Sequence, residues 1–174
     1  MNLRRLQHQN RLQTAVNEFA PFATGSDVVN TARITGSGIT PITISETIAA
    51  ESTPILNITK SVSPVPVTEN GILTYTFLIQ NMGSAPAAVT TGATITDTFN
   101  PILSGLTVTF NGTAWTAPTN YTCNETTGLF ATAAGQITVP AATFTQDPET
   151  GAWVTTPGVS TLVVTGTILS LIHI

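Results

Sequence analysis

Residues 72–81 read ILTYTFLIQN. Leu73, Tyr75, Phe77 and Ile79 alternate with Ile72, Thr74, Thr76, Leu78 and Gln80. Successive side chains of a strand point to opposite faces, so the first set predicts a core face and the second a mixed, half-exposed one. The segments on either side carry the same punctuation. Upstream, ILNITKSV (55–62) stops at Pro64 and Pro66, ITPITISETIAA (39–50) carries a proline near its start, and DVVNTARIT (27–35) ends at GSG. Downstream come AVTTGATITDTF (88–99) and LTVTFNGTAW (106–115), whose NG marks a tight hairpin because both central residues must take positive φ. DPETG reads as a turn joining ATFTQ to AWVTT, and VSTLVVTGTI (159–168) is the last strand. No helix longer than a turn or two is required, and an antiparallel two-sheet β-sandwich over Ile55–Ile168 is expected. Its core should include Leu73, Tyr75, Phe77, Ile79, Ile95 and Val108.

Composition agrees. Only 8% of the residues are charged, against about 25% in an ordinary domain. Thr, Val and Ile dominate instead, and their branched Cβ suits a pleated sheet. A net charge of −4 and arginines confined to the first 33 residues leave no basic stripe to follow a phosphate backbone, so nucleic acid is not an expected partner. No stretch approaches the length of a membrane span, and no membrane insertion is expected. Cys123 has no second cysteine to pair with, and His8 and His173 stand at opposite ends of the sequence. No metal, cofactor or enzymatic constellation is read from these residues. The closing residues 169–174, LSLIHI, read as the translation of a transposon-end adapter used in sequencing libraries, and are expected to be an artefact rather than native sequence.

The stretch ILNITKSVSPVPVTENGILTYTFLIQNMGSAPAAVTTGATITDTFNPILSGLTV resembles the conserved repeat domain of bacterial surface proteins, domain-of-unknown-function family 11. The matching elements are the first-strand TKSVSP, the run ENGILTYTFLIQNMGSAPA, and ITDTF followed by a leucine-containing turn. They cover Ile55 to about Val108 closely and extend more loosely to Ile168. TAVNEFAPFATGSDVVNTARITGSG resembles the family's closing pair of strands, with Asn30 as its asparagine. The resemblance implies an immunoglobulin-like sandwich, found in tandem on long secreted or wall-attached bacterial proteins. Residues 1–50 would be the C-terminal remnant of a preceding repeat, and 55–168 a second, truncated one. The location implied is extracellular or at the cell surface.

The resemblance also suggests work for Lys60, the sole lysine. Surface sandwiches of the pilin and adhesin type join a first-strand lysine to a last-strand asparagine by an isopeptide bond, assisted by a buried carboxyl group. That chemistry needs a neutral amine and a protonated acid. Lys60 and Asp97 match the amine and the acid, while Asn30 matches the amide of the upstream repeat. One expectation is that residues 27–35 fold back beside the Lys60 strand and bring Asn30 to it. The simpler reading makes Lys60 an edge charge and Asp97 a turn former.

Other candidates are thinner. Trp115 and Trp153 could stack on sugar rings, although such residues more often fill a core. Asp147 and Glu149 could join a calcium site, but two carboxylates fall short of the oxygen ligands the ion takes. Asn57, Asn111, Asn120 and Asn124 begin N-x-T triplets. The function expected is a structural spacer or stalk repeat with neighbouring repeats as partners. The alternative is an adhesin-type module contacting a host protein or glycan.

Overall fold

The computed structural model describes residues 27–49 and 52–169. His8, His173, the start of the 1–50 segment and all but Leu169 of the suspected adapter lie outside the described residues. The described chain is built of strands, and none of its helices is long and apolar enough to cross a membrane.

Two antiparallel sheets form a sandwich. The larger has the order β3-β4-β12-β6-β7, made of Leu56–Ser63 (β3), Ile72–Asn81 (β4), Leu103–Phe110 (β6), Thr113–Trp115 (β7) and Gly158–Ile168 (β12). The smaller has the order β5-β9-β8, made of Thr96–Thr98 (β5), Tyr121–Cys123 (β8) and Leu129–Thr132 (β9). Two hairpins form sheets of their own: Asp27–Gly36 (β1) with Ile39–Ala49 (β2), and Thr143–Gln146 (β10) with Trp153–Thr156 (β11).

The core sits where the alternation in ILTYTFLIQN places it. Leu73, Tyr75, Phe77 and Ile79 are buried together with Ile95, Phe99, Val108 and Phe130, whereas Ile72 is exposed. Tyr75 stacks on Phe99 with ring centroids 4.8 Å apart, and Phe99 leans on Phe130 at 5.4 Å, so aromatic rings bridge the two sheets. Burying one large apolar side chain contributes about 1.5–3 kcal/mol. β12 lies between β4 and β6, paired on both sides, and its Leu162, Val164 and Ile168 are among the most buried residues.

Turn chemistry accounts for the connections. Asn111 and Gly112 have φ of 49° and 79° and join β6 to β7, as NG requires. Asp147 Oδ1 accepts from the backbone N–H groups of Glu149 and Thr150 at 2.8 and 2.9 Å, shaping the β10–β11 turn.

Two expectations fail. The span 88–99 is not one strand: Val89–Thr91 forms a 3-10 turn and only Thr96–Thr98 pairs. Gly92 adopts left-handed φ at 66°, and the Thr91 hydroxyl accepts from the Ala88 N–H, so local bonding draws this backbone out of the ladder. Nor do residues 27–35 complete the β3 edge. β1 pairs with β2 from Asp27↔Ala49 to Gly36↔Ile39, leaving Asn30 opposite Glu46 in the hairpin's own sheet. Closing the short GSG turn costs less chain entropy than closing the longer loop back to β3.

Candidate functional site

The inner row of β3 follows from its register. Leu56, Ile58, Lys60 and Val62 stand opposite Asn81, Ile79, Phe77 and Tyr75, all buried, and residues directly opposite share a face. Yet β3 itself is exposed along its whole length: Ile58 is 48% exposed while Ile79 beside it is 3%. The facing sheet has three strands against five and ends at β5 on this side, so β3 is left largely uncovered and is met at Lys60 by Asp97 of β5.

Lys60 and Asp97 meet at this open side. The Lys60 ammonium bonds to Asp97 Oδ2, and Nζ lies 4.4 Å from the Tyr75 ring centroid and 5.6 Å from those of Phe77 and Phe99. β3 and β5 belong to different sheets, so the pair ties the sandwich across its layers. Asp97 Oδ1 also accepts from its neighbour Thr98 N–H at 2.9 Å, the local bond expected of a turn former. The two side chains are 38% and 19% exposed, so water still reaches both. Tyr75 is affected: burial, and then the charge on Asp97, raises its phenol above the ordinary value. Beyond Val62 the open side continues into a shallow apolar cleft of about 280 Å³ lined by Pro64, Val65, Pro66, Tyr75 and Pro101.

The remaining candidates do not converge on it. Trp115 stacks on Phe110 at 4.9 Å and packs against the core, while Trp153 sits half-buried on β11 in the separate hairpin. Asp147 and Glu149 belong to the β10–β11 turn, and no group of three or more His, Cys, Asp or Glu placed to hold a metal ion occurs among the described residues. Three N-x-T asparagines are engaged within the fold. Asn111 bonds Ser160 and Thr161, Asn120 bonds Thr116 and Gln136, and Asn124 closes its own turn. Cys123 is half-buried, and burial, followed by the charge of Glu125, pushes its thiol up.

Sequence reading missed Asn81. Its side chain is completely buried; Oδ1 accepts from Ile55 and Gly83 N–H at 2.9 Å each, and Nδ2 donates to Ala85 and Pro140 carbonyls at 2.7 and 2.9 Å. It pins the start of β3, the turn after β4 and the segment leading into β10. An asparagine in the buried phase of an alternating strand, two residues before Gly83, was the available signal.

Compared with known proteins, the chain matches no family model, no curated protein and no solved structure.

Proposed function

We propose that this chain is structural: a spacer or stalk repeat of a bacterial cell-surface or secreted protein, with the immunoglobulin-like architecture of the repeat domain it resembles. Residues 55–168 form the module, and 1–50 close a preceding one. The observation that supports this reading is the Lys60–Asp97 pair. Two residues 37 positions apart, singled out as amine and assisting acid of an isopeptide bond, meet across the sandwich over its aromatic core. A tie between an edge strand and the opposite sheet resists peeling of that strand, as a load-bearing repeat requires.

The same pair makes Lys60 the candidate amine of an isopeptide bond, assisted by Asp97. Asn30 lies in the hairpin's sheet, so the amide would come from another strand placed over Lys60. Such a strand would also exclude the water that now reaches the pair.

Small-angle scattering of proteins carrying one, two and three tandem copies of the full chain tests the spacer reading. Its maximum dimension should rise by a constant increment per copy; a dimension that saturates as the copies collapse together refutes it. An intact mass lighter by one ammonia per repeat, in protein taken from the producing cell, would establish the crosslink.

A further inference from the structure

The β1–β2 hairpin is amphipathic, and its apolar face is uncovered. Cross-strand pairs Ala32↔Ile44 and Ile34↔Ile42, with Ile48 in the same row and the polar pair Asn30↔Glu46 between, make one face; Val29↔Thr47, Thr31↔Ser45 and Arg33↔Thr43 make the other. Ile34, Ile42, Ile44 and Ile48 are each 60% or more exposed. A two-stranded hairpin has little stability unless such a face is packed against something.

The inner face of β3 carries the same pattern. Along β2 it reads Ile42, Ile44, Glu46, Ile48; along β3 it reads Leu56, Ile58, Lys60, Val62. In each row one charge interrupts three apolar residues at the same position, and the two charges are opposite. When Glu46 is set over Lys60, isoleucines of β2 lie over Ile58 and Val62 whichever way the strand runs.

We propose that the β1–β2 hairpin of one copy of this chain docks, apolar face down, over the open inner face of β3 in a second copy, beside β5, with Glu46 meeting Lys60. The hairpin adds two strands to the three-stranded sheet, so five strands face five. Reciprocal exchange closes the association as a dimer. The interaction does not depend on the spacer reading.

The chain's own geometry points to a second copy. Ser52 Oγ is bonded to Ser84 Oγ at 2.6 Å, and Ile55 is tied to Asn81 and Met82, which holds 52–55 extended beyond the start of β3. Only two residues separate Ala49 from Ser52. A β2 strand turning back over its own β3 would place Glu46 level with Ile55, roughly 17 Å short of Lys60 at about 3.4 Å per residue. A hairpin from another copy slides into register freely.

Because Lys60 is the sole lysine, carbodiimide coupling gives a direct test. Equal amounts of light and isotope-labelled full-length chain are mixed, coupled and digested. Besides the intrachain Asp97–Lys60 amide that the ion pair gives, the expected product is a Glu46–Lys60 amide joining light to heavy peptides, alongside concentration-dependent association in sedimentation. Ile44→Asp and Ile58→Asp should each weaken association by about tenfold or more, whereas Thr43→Asp, on the opposite face, should not. Circular dichroism confirms that each variant is folded, and Ile44→Asp lies outside the sandwich, so it remains informative if Ile58→Asp unfolds. A chain that stays monomeric at all concentrations, Glu46–Lys60 amides confined to single-isotope products, or association indifferent to Ile44→Asp overturns the proposal.

Discussion

Lys60 and Asp97 stand on different sheets and close an ion pair beside the ring of Tyr75, so the edge strand β3 is held to β5 by side chains where no backbone ladder joins them. Exposure limits the strength of this tie. Asp97→Asn should lower stability by about 0.2–1 kcal/mol, the range for an accessible pair. A double-mutant cycle with Lys60→Met isolates the coupling in urea unfolding. Molar salt should erase most of it in the native protein and change the Asp97→Asn variant little.

Asn81 should matter more than either charge. Asn81→Ala leaves the N–H groups of Ile55 and Gly83 and the carbonyls of Ala85 and Pro140 without their partner inside the fold. Each orphaned buried group costs about 1–3 kcal/mol, and with partial rescue by water a loss of about 3–5 kcal/mol is expected. The exposed Asn57 changed to alanine is the control. Equal unfolding midpoints for the two variants would refute this assignment.

The glycines divide by mechanism. A Cβ at Gly158 would lie 1.9 Å from the Pro140 carbonyl oxygen, so backbone must move at the head of the central strand β12. Gly158→Ala should cost about 2 kcal/mol or more. At Gly112 the space is open but φ is +79°, so Gly112→Ala carries only the left-handed penalty of about 1–2 kcal/mol. Thermal unfolding of both variants checks the order.

The contrast between these residues explains what the sequence disclosed. Alternation along Ile72–Asn81 placed the core face, and NG and DPETG placed their hairpins, because period and turn chemistry are local properties. The pairing of β12 between β4 and β6 joins residues far apart in the chain, and no local pattern encodes which strands become neighbours. Lys60 was legible as the sole lysine, and Asp97 through the ITDTF element of the resemblance. The short β5 was not, since Gly92 and Thr91 compete with strand formation through backbone freedom and a side-chain bond. Asn30 was placed by resemblance to a closing strand, but the nearer β2 captured its strand.

Alkaline pH probes the core directly. Both tyrosines are raised above their ordinary value: Tyr75 by burial and then by Asp97, Tyr121 by burial and then by Cys123; the Cys123 thiol is raised as well. In the unfolded chain these groups lose their protons from about pH 8.5 for the thiol and about pH 10 for the phenols. The folded chain holds its protons longer, so above those values the unfolded state binds fewer protons and stability falls as pH rises. The contribution is complete below the unfolded values and is lost as pH climbs through the folded ones. Urea midpoints should therefore decline from about pH 8.5 upward. Phenolate absorbance should develop later in native protein than in urea, and since the chain has two tyrosines, it reports on these two alone. Asp97→Asn removes one of the two causes acting on Tyr75 and should bring part of that absorbance to lower pH. Tyrosines that ionise together at the free value in native protein would show that neither ring is held as the structure places it.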